Sequence, residues 1–141
     1  MKASDALSLC NCFAVRQAAR QVTKLYERHL AEARLTSAQF SILVVLGGGR
    51  RTMLELAKTL VMDRTTLLRA LKPLQREGLV RSTPSEADPR QLVFSLSPAG
   101  ERRLEQAEPL WRRAQKEFEA GMGAREAARL RGALLTLPMD D

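Results

Sequence analysis

The most constraining feature of this sequence is a run of closely spaced helix punctuation between Thr52 and Gly78. Thr52 with Glu55 three residues on is an N-cap signal, and Leu56, Ala57 and Leu60 give Met53 to Leu60 the apolar stripe of a short helix. Val61-Met62-Asp63 is the only connection before a second helix, which Asp63 caps. That helix is predicted from Arg64 to about Glu77, with Leu67, Leu68 and Leu71 facing inward, Pro73 as an expected kink and Gly78 just past the end. After Gly78 the period changes. Leu79-Val80-Arg81-Ser82 and Leu92-Val93-Phe94-Ser95-Leu96 are short β-prone runs. The polar, turn-rich Thr83 to Gln91 lies between them, so a hairpin with a long exposed tip is expected. Two short helices joined by a tight turn and followed by a hairpin make a winged helix-turn-helix.

Long amphipathic segments flank this middle. Residues 5–33 read as one helix, capped by Ser4 or Asp5, with Leu7, Cys10, Ala14, Ala18, Val22, Leu25 and Leu30 recurring at helical spacing. Thr36 caps the next helix, with Gln39 completing a capping box; its run Phe40 to Leu46 is nearly all apolar and is expected to be a buried central helix. Gly47-Gly48-Gly49 ends it. That triplet lacks the Gly-Lys-Ser/Thr ending of a phosphate-binding loop, so it reads as a helix stop. Pro98 opens a long helix to about Ala120, bent at Pro109, and a last helix runs from Ala124 to about Leu137. The fold class is mainly α with a small β-hairpin wing (α+β), with N- and C-terminal dimerisation helices. The expected organisation is one domain over 1–141, a DNA-binding lobe over 36–97, and a helical dimerisation region over 5–33 and 98–137. Leu130, Leu134, Leu135 and Leu137, with Leu7 and Phe13, are apolar surface that a two-fold interface would bury.

The chemistry concentrates in the middle segment. In a helix-turn-helix the start of the second helix meets base edges in the major groove. Here it reads Asp63-Arg64-Thr65-Thr66-Leu67-Leu68-Arg69. Arginine can bond a guanine edge through two donors, and threonine can hydrogen-bond or touch a thymine methyl. Lys72 and Arg76 extend the positive face toward phosphates, and Thr52 at the start of the preceding helix belongs to the same surface. Arg90 at the wing tip suits the minor groove, where negative potential is focused. Asp88 would repel DNA, so its expected role is to orient an arginine such as Arg90. The chain carries a net charge of +7, and Arg50 to Arg90 holds nine cationic residues against five anionic ones. Most of the excess, four charges, therefore sits on this segment.

Several classes are excluded or disfavoured. One histidine and scattered acids assemble no Ser-His-Asp, Cys-His or paired-carboxylate site, so no enzyme activity is expected. No cofactor is expected. Two cysteines and His29 are too few ligands for a dedicated zinc site. No apolar run is long enough to span a bilayer, and Asp5, Asn11 and Arg16 interrupt any signal-peptide core, so a cytoplasmic protein with reduced Cys10 and Cys12 is expected. Two residues apart on one helix, those cysteines would face different ways and not pair. RNA readers interleave aromatics with basic residues, and none stand near Arg64 or Arg90.

With these residues in hand, the chain resembles MarR-type regulators over nearly its whole length. The resemblance rests on Leu35 to Leu43, Glu55-Leu56-Ala57, Met62 to Leu67, Leu74 to Val80, Asp88-Pro89-Arg90 and Leu96 to Gly100. It implies a homodimer, joined by its first and last helices, that represses transcription from a pseudo-palindromic DNA operator. It also implies release by a small ligand, often aromatic or phenolic, or by cysteine oxidation. Cys12-Phe13-Ala14-Val15 is similar to the reactive-cysteine segment of the organic-hydroperoxide-sensing branch. Tyr26 falls at the place of one tuning tyrosine, whereas Ser37 replaces a second. Arg16, one turn after Cys12, would favour a thiolate. The redox candidates are thus Cys12, Cys10 and Tyr26; the competing reading makes the two cysteines small apolar residues of a helical interface. For a ligand pocket the candidates are Phe13, His29, Phe40 and Trp111, with Phe118 alongside; core packing is the competing reading for the aromatics and a surface position for His29.

Overall fold

The computed structural model describes residues 2–139. Seven helices and three short strands follow in the order α1 (Ala3–Leu9), α2 (Asn11–Leu30), α3 (Ser37–Gly47), β1 (Arg51–Thr52), α4 (Met53–Leu60), α5 (Arg64–Arg76), β2 (Val80–Pro84), β3 (Leu92–Leu96), α6 (Pro98–Met122) and α7 (Ala124–Leu135) among the described residues. A single 3-10 turn, Ala31–Ala33, follows α2. Two compact units emerge: residues 30–110, and a second made of the segments before residue 30 and after residue 110.

Local chemistry sets the ends of the helices in the first unit. The Thr36 hydroxyl accepts the Gln39 N–H at 3.1 Å while the Gln39 carboxamide accepts the Thr36 N–H at 3.0 Å, the reciprocal cap expected from sequence. Thr52 accepts the Glu55 N–H at 3.2 Å and Asp63 the Thr66 N–H at 2.8 Å. Gly78, at φ 73, closes α5, and the Leu79 N–H reaches back to the Leu74 carbonyl at 2.9 Å. Leu30, Leu35, Ile42, Leu43, Leu46, Leu56, Leu67, Leu71, Leu74 and Phe94 are buried and form the core of this unit. The α3 helix is not buried all round as expected: Ile42, Leu43 and Leu46 face inward, whereas Val44, on the opposite side, is exposed.

The hairpin pairs Val80 with Leu96 through Pro84 with Leu92. The Ser85 N–H donates to the Gln91 carbonyl at 2.8 Å and closes the tip. The sheet has one strand more than the two-stranded wing expected. Arg51 and Thr52 pair antiparallel with Phe94 and Val93, giving the order β1-β3-β2. A two-residue strand is too short to carry an alternating pattern, which is why it left no sequence signal.

The second unit has a thin core of its own. Ala114 and Ala127 are buried there, while Leu7, Leu9, Val15, Leu134, Leu135 and Leu137 are exposed. The single helix expected over 5–33 is broken at Cys10, whose backbone is extended at φ −86, ψ 115. The Cys10 sulfur accepts the Phe13 N–H at 3.4 Å and so takes the place of an N-cap side chain for α2. Cysteine and asparagine are weak helix formers, and Cys10-Asn11-Cys12 is the stretch where helix is least favoured. The chain start also differs: Ser4 and Asp5 lie inside α1, and an Asp5 oxygen accepts the Lys2 N–H at 3.1 Å. The last helix stops at Leu135, two residues before the expected end.

Candidate nucleic-acid interface

The α4 and α5 helices pack through Leu56, Leu67, Leu71 and Leu74, each fully buried. Burying side chains of this size contributes roughly 1.5–3 kcal/mol each as an upper estimate. The spacing Leu67, Leu71, Leu74 fixes which face of α5 points outward. On that outward face Thr65, Leu68, Arg69, Lys72, Pro73 and Arg76 line an open groove along the helix; Leu68 was expected to face inward, but it is half-buried and only Leu67, Leu71 and Leu74 of this helix are fully buried. Arg64, Thr65, Thr66, Arg69, Lys72 and Arg76 are exposed, and Thr52 is half-buried. Six of the ten residues expected to meet DNA therefore lie on one exposed helix, with no chain of their own unit covering them.

Two carboxylates in this set have partners that explain them. Asp63 caps α5, and its hydrogen bonds from Thr66 hold the carboxyl below the usual carboxylate range, with Arg69 adding a smaller attraction. Its place is at the positive end of the helix, so its charge organises the helix start. Asp88 binds Arg90 three ways: it accepts from the Arg90 backbone N–H at 3.1 Å, from Nε at 3.1 Å and from a terminal guanidinium nitrogen at 3.3 Å. These bonds lower the Asp88 carboxyl pKa below its ordinary value. The Arg90 side chain nonetheless remains 90% exposed. The pair thus fixes the root of the arginine while leaving most of its donor surface in water.

The anchoring of this site includes residues to which the sequence reading gave no individual role. Ser97 is buried, and its hydroxyl donates toward the Gly78 carbonyl at 2.5 Å while accepting the Gly100 N–H at 3.0 Å. It therefore joins the start of α6 to the turn between α5 and the wing. Gln75 of α5 donates to the Ser82 hydroxyl of β2 at 3.3 Å, a second tie between α5 and the wing. Arg103 of α6 donates to the Ala33 carbonyl at 3.2 Å and lies 3.7 Å from Glu77.

Known proteins share this arrangement. The sequence model of the MarR family matches residues 35–91. The organic hydroperoxide resistance transcriptional regulator of Bacillus subtilis (strain 168) is 30% identical over 90 residues, 63% of this chain and 61% of that protein. The match thus spans less than two thirds of that relative's length. The M. tuberculosis transcriptional regulator MosR, solved in complex with DNA, is 38% identical with a TM-score of 0.74, covering 92% of this chain and 99% of that one. The transcriptional repressor CouR, solved bound to a 23-mer DNA duplex, is 28% identical with a TM-score of 0.84, covering 96% of this chain and 97% of the other.

The chain belongs to the MarR family. Its fold is the winged helix of that family, with α5 at the recognition-helix position and the β2–β3 hairpin as the wing. These relatives are transcriptional regulators.

The residues considered for signal input in this MarR-family chain are distributed differently from those of the helix-turn-helix. Cys12 is exposed and Cys10 half-buried, both as free thiols. The break at Cys10 removes the premise that the two sit on one helix facing apart. Tyr26 is 14 residues beyond Cys12 on α2, about 21 Å along the axis at about 1.5 Å per residue, so the two do not meet within one chain. Its hydroxyl donates to Gln115, and burial, reinforced by Glu119, raises its pKa. Phe13, Phe40 and Trp111 are half-buried. His29 lies 2.6 Å from a Glu117 oxygen, and Arg28 lies 3.2 Å from the other. Hydrogen bonding from His29, then from Arg28, lowers the Glu117 pKa. An apolar cavity of about 500 Å³ in the second unit is lined by Ala14, Ala18, Val22, Tyr26, Phe118 and Leu130, among others. Of the five side chains expected at a ligand pocket, Phe118 alone lines it. No group of three or more metal-ligating side chains occurs among the described residues, and none of their helices alone is long and apolar enough to cross a membrane.

Proposed function

We propose that this chain is a sequence-specific, double-stranded-DNA-binding transcriptional regulator that acts in the cytoplasm as a homodimeric repressor. The observation that carries the reading is the pairing of two exposed cationic elements on one lobe: the Thr65-Arg69-Lys72-Arg76 face of α5 and the Asp88-oriented Arg90 of the wing. In this reading α5 enters the major groove with Arg64, Thr65, Thr66 and Arg69 at base edges. Lys72 and Arg76 neutralise phosphates, and Arg90 reaches the minor groove. Asp63 and Thr52 serve by capping the two helices of the motif. The apolar Leu130, Leu134 and Leu135 surface supports association with a second copy, which would present two α5 helices to the two half-sites of a pseudo-palindrome.

The test is a fluorescence titration with duplexes selected from random-sequence DNA, run against single-stranded RNA. Duplex binding should win and should weaken steeply with salt. Arg90→Ala should weaken binding to all sequences, whereas Arg64→Ala and Thr65→Ala should change which sequence is preferred. Unaltered affinity and preference in all three would refute the assignment.

For release, oxidation of Cys10 and Cys12 is favoured over a ligand by one observation: the helix break takes Cys10 out of helical geometry, two residues before a Cys12 thiol that is exposed. A hydroperoxide would oxidise one thiol to a sulfenic acid and leave as the alcohol. Condensation with the neighbouring thiol would then form a disulfide and water. The name of the Bacillus subtilis relative is in keeping with this chemistry. Peroxide titration of DNA binding with Cys10→Ser and Cys12→Ser decides it. Release that persists in both variants refutes the thiol reading and leaves a small aromatic effector, for which a thermal-shift screen of phenolic acids is the separate measurement.

A further inference from the structure

Val61 sits in the turn between α4 and α5 with a left-handed backbone, φ 51 and ψ 50. The hydrogen bonds of the turn impose that conformation: the Val61 N–H reaches the Lys58 carbonyl at 3.3 Å and the Met62 N–H reaches the Ala57 carbonyl at 3.0 Å. Such a helix end is most comfortably occupied by glycine or asparagine, because a side chain branched at Cβ crowds the backbone there. The valine side chain is not compensated by packing, since the residue is 91% exposed. Conformation and solvation thus both disfavour valine at this position within the chain.

We propose that Val61 is a contact residue for duplex DNA, its isopropyl group closing against sugar or thymine methyl at the rim of the groove that α5 enters. This rests on the DNA-binding reading above. The occupant follows from position and charge. Val61 is two residues before Asp63, the cap of α5, and that helix presents Arg64, Arg69, Lys72 and Arg76 to solvent. A polyanion drawn to those cations brings its sugar edges to the turn that precedes the helix. The contact is apolar and removes Val61 from water only when DNA is bound.

The experiment compares Val61→Gly and Val61→Asn with the wild-type protein on a duplex that the wild type selects from random-sequence DNA. Both variants accept the left-handed backbone. Their thermal midpoints should equal or exceed that of the wild type, while the dissociation constant rises about five- to tenfold, the scale of one to two methyl groups withdrawn from water. The slope of affinity against salt should stay unchanged, because every phosphate keeps its cationic partner. Leu54→Ala removes an exposed apolar side chain from α4 itself and should leave affinity unaltered. Unchanged affinity in both Val61 variants overturns the proposal. So does a fall in their midpoints, which would mean that the side chain packs within the fold, and so does an equal weakening in Leu54→Ala. Failure of the wild type to bind any duplex would instead overturn the DNA-binding reading itself.

Discussion

Replacing Gly100 by alanine would strike the joint that holds the wing to α5. Gly100 is in the first turn of α6 and is buried against the backbone of the α5–β2 turn. A Cβ there would stand 2.1 Å from the Leu79 carbonyl oxygen and 3.3 Å from a Leu96 methyl; separations below 3.0 Å are essentially never seen. The obstacle is backbone, so no side-chain rotation relieves it, and the start of α6 must retreat by about 1 Å. Two bonds span the gap that would open: the Ser97 N–H to the Leu79 carbonyl at 3.0 Å and the Ser97 hydroxyl to the Gly78 carbonyl at 2.5 Å. Each contributes about 1 kcal/mol, and the repacking adds about 1–3 kcal/mol. Alanine's better helix propensity returns up to about 1 kcal/mol. The net expectation is a loss of about 2–5 kcal/mol, read by urea unfolding followed by circular dichroism at fixed protein concentration, because an associating chain has a concentration-dependent midpoint. Gly78→Ala provides the contrast. Its Cβ meets nothing within 4 Å but must adopt φ 73, so only the conformational cost of about 1 kcal/mol is expected. A Gly100→Ala protein within about 0.5 kcal/mol of the wild type would refute the steric reasoning, as would a Gly78→Ala protein that is the less stable of the two.

The acid limb of stability should depend on Asp63. Its folded-state pKa is lowered by the Thr66 hydrogen bonds, so its contribution is fully present above the ordinary carboxylate value and is lost as pH falls through the folded value. Asp63→Asn keeps a cap but not the charge; the difference in urea midpoint between it and the wild type should be constant near neutrality and change only below about pH 4. Lys72→Ala and Arg76→Ala should each flatten the plot of log affinity against log salt by about 0.9 for each phosphate left without its cation, measured by fluorescence anisotropy. Thr36→Ala removes the reciprocal cap of α3 and should cost about 1 kcal/mol in chemical denaturation, whereas Thr36→Ser should be nearly neutral.

The parts of the fold that could be read from sequence are those fixed by local chemistry. Thr36, Thr52 and Asp63 each cap the helix they were expected to cap, because a hydroxyl or carboxylate two or three residues ahead of an orphan N–H acts within one turn. Leu67 and Leu71 face the core because helical spacing leaves no alternative once Leu56 packs opposite. What escaped depends on partners distant in sequence. The pairing of Arg51 and Thr52 with β3 joins residues about 40 positions apart. Gly100 entered the sequence reading only as the end of the Leu96 to Gly100 stretch, whereas its lack of a side chain is required by the Leu79 carbonyl. The break at Cys10 is local but weakly coded: sulfur is not among the usual capping groups, and the apolar periodicity runs straight through it. Among the site residues, the α5 cations came out together because one helix carries them. Phe13, His29, Phe40 and Trp111 are scattered along the sequence, and a pocket needs tertiary geometry that side-chain type alone does not specify.

The two units also differ in what they can do independently. The unit spanning residues 30–110 buries a continuous set of leucines, isoleucine and phenylalanine, enough to hold α5 and the wing rigidly in place. The unit built from the two chain ends buries little beyond Ala114 and Ala127 and leaves Leu134, Leu135 and Leu137 exposed. Its helices therefore gain less from packing within one chain, and local opening there costs less than in the lobe that carries α5. A chemical signal is best received where the free-energy cost of rearrangement is small, and the thiols of Cys10 and Cys12 lie in that unit, at a helix break. This assigns rigidity to the surface proposed to read DNA and pliancy to the segment proposed to sense oxidation. Hydrogen exchange should follow the same division, with the amides of Leu67, Leu71 and Leu74 among the slowest to exchange and those flanking Cys10 among the fastest.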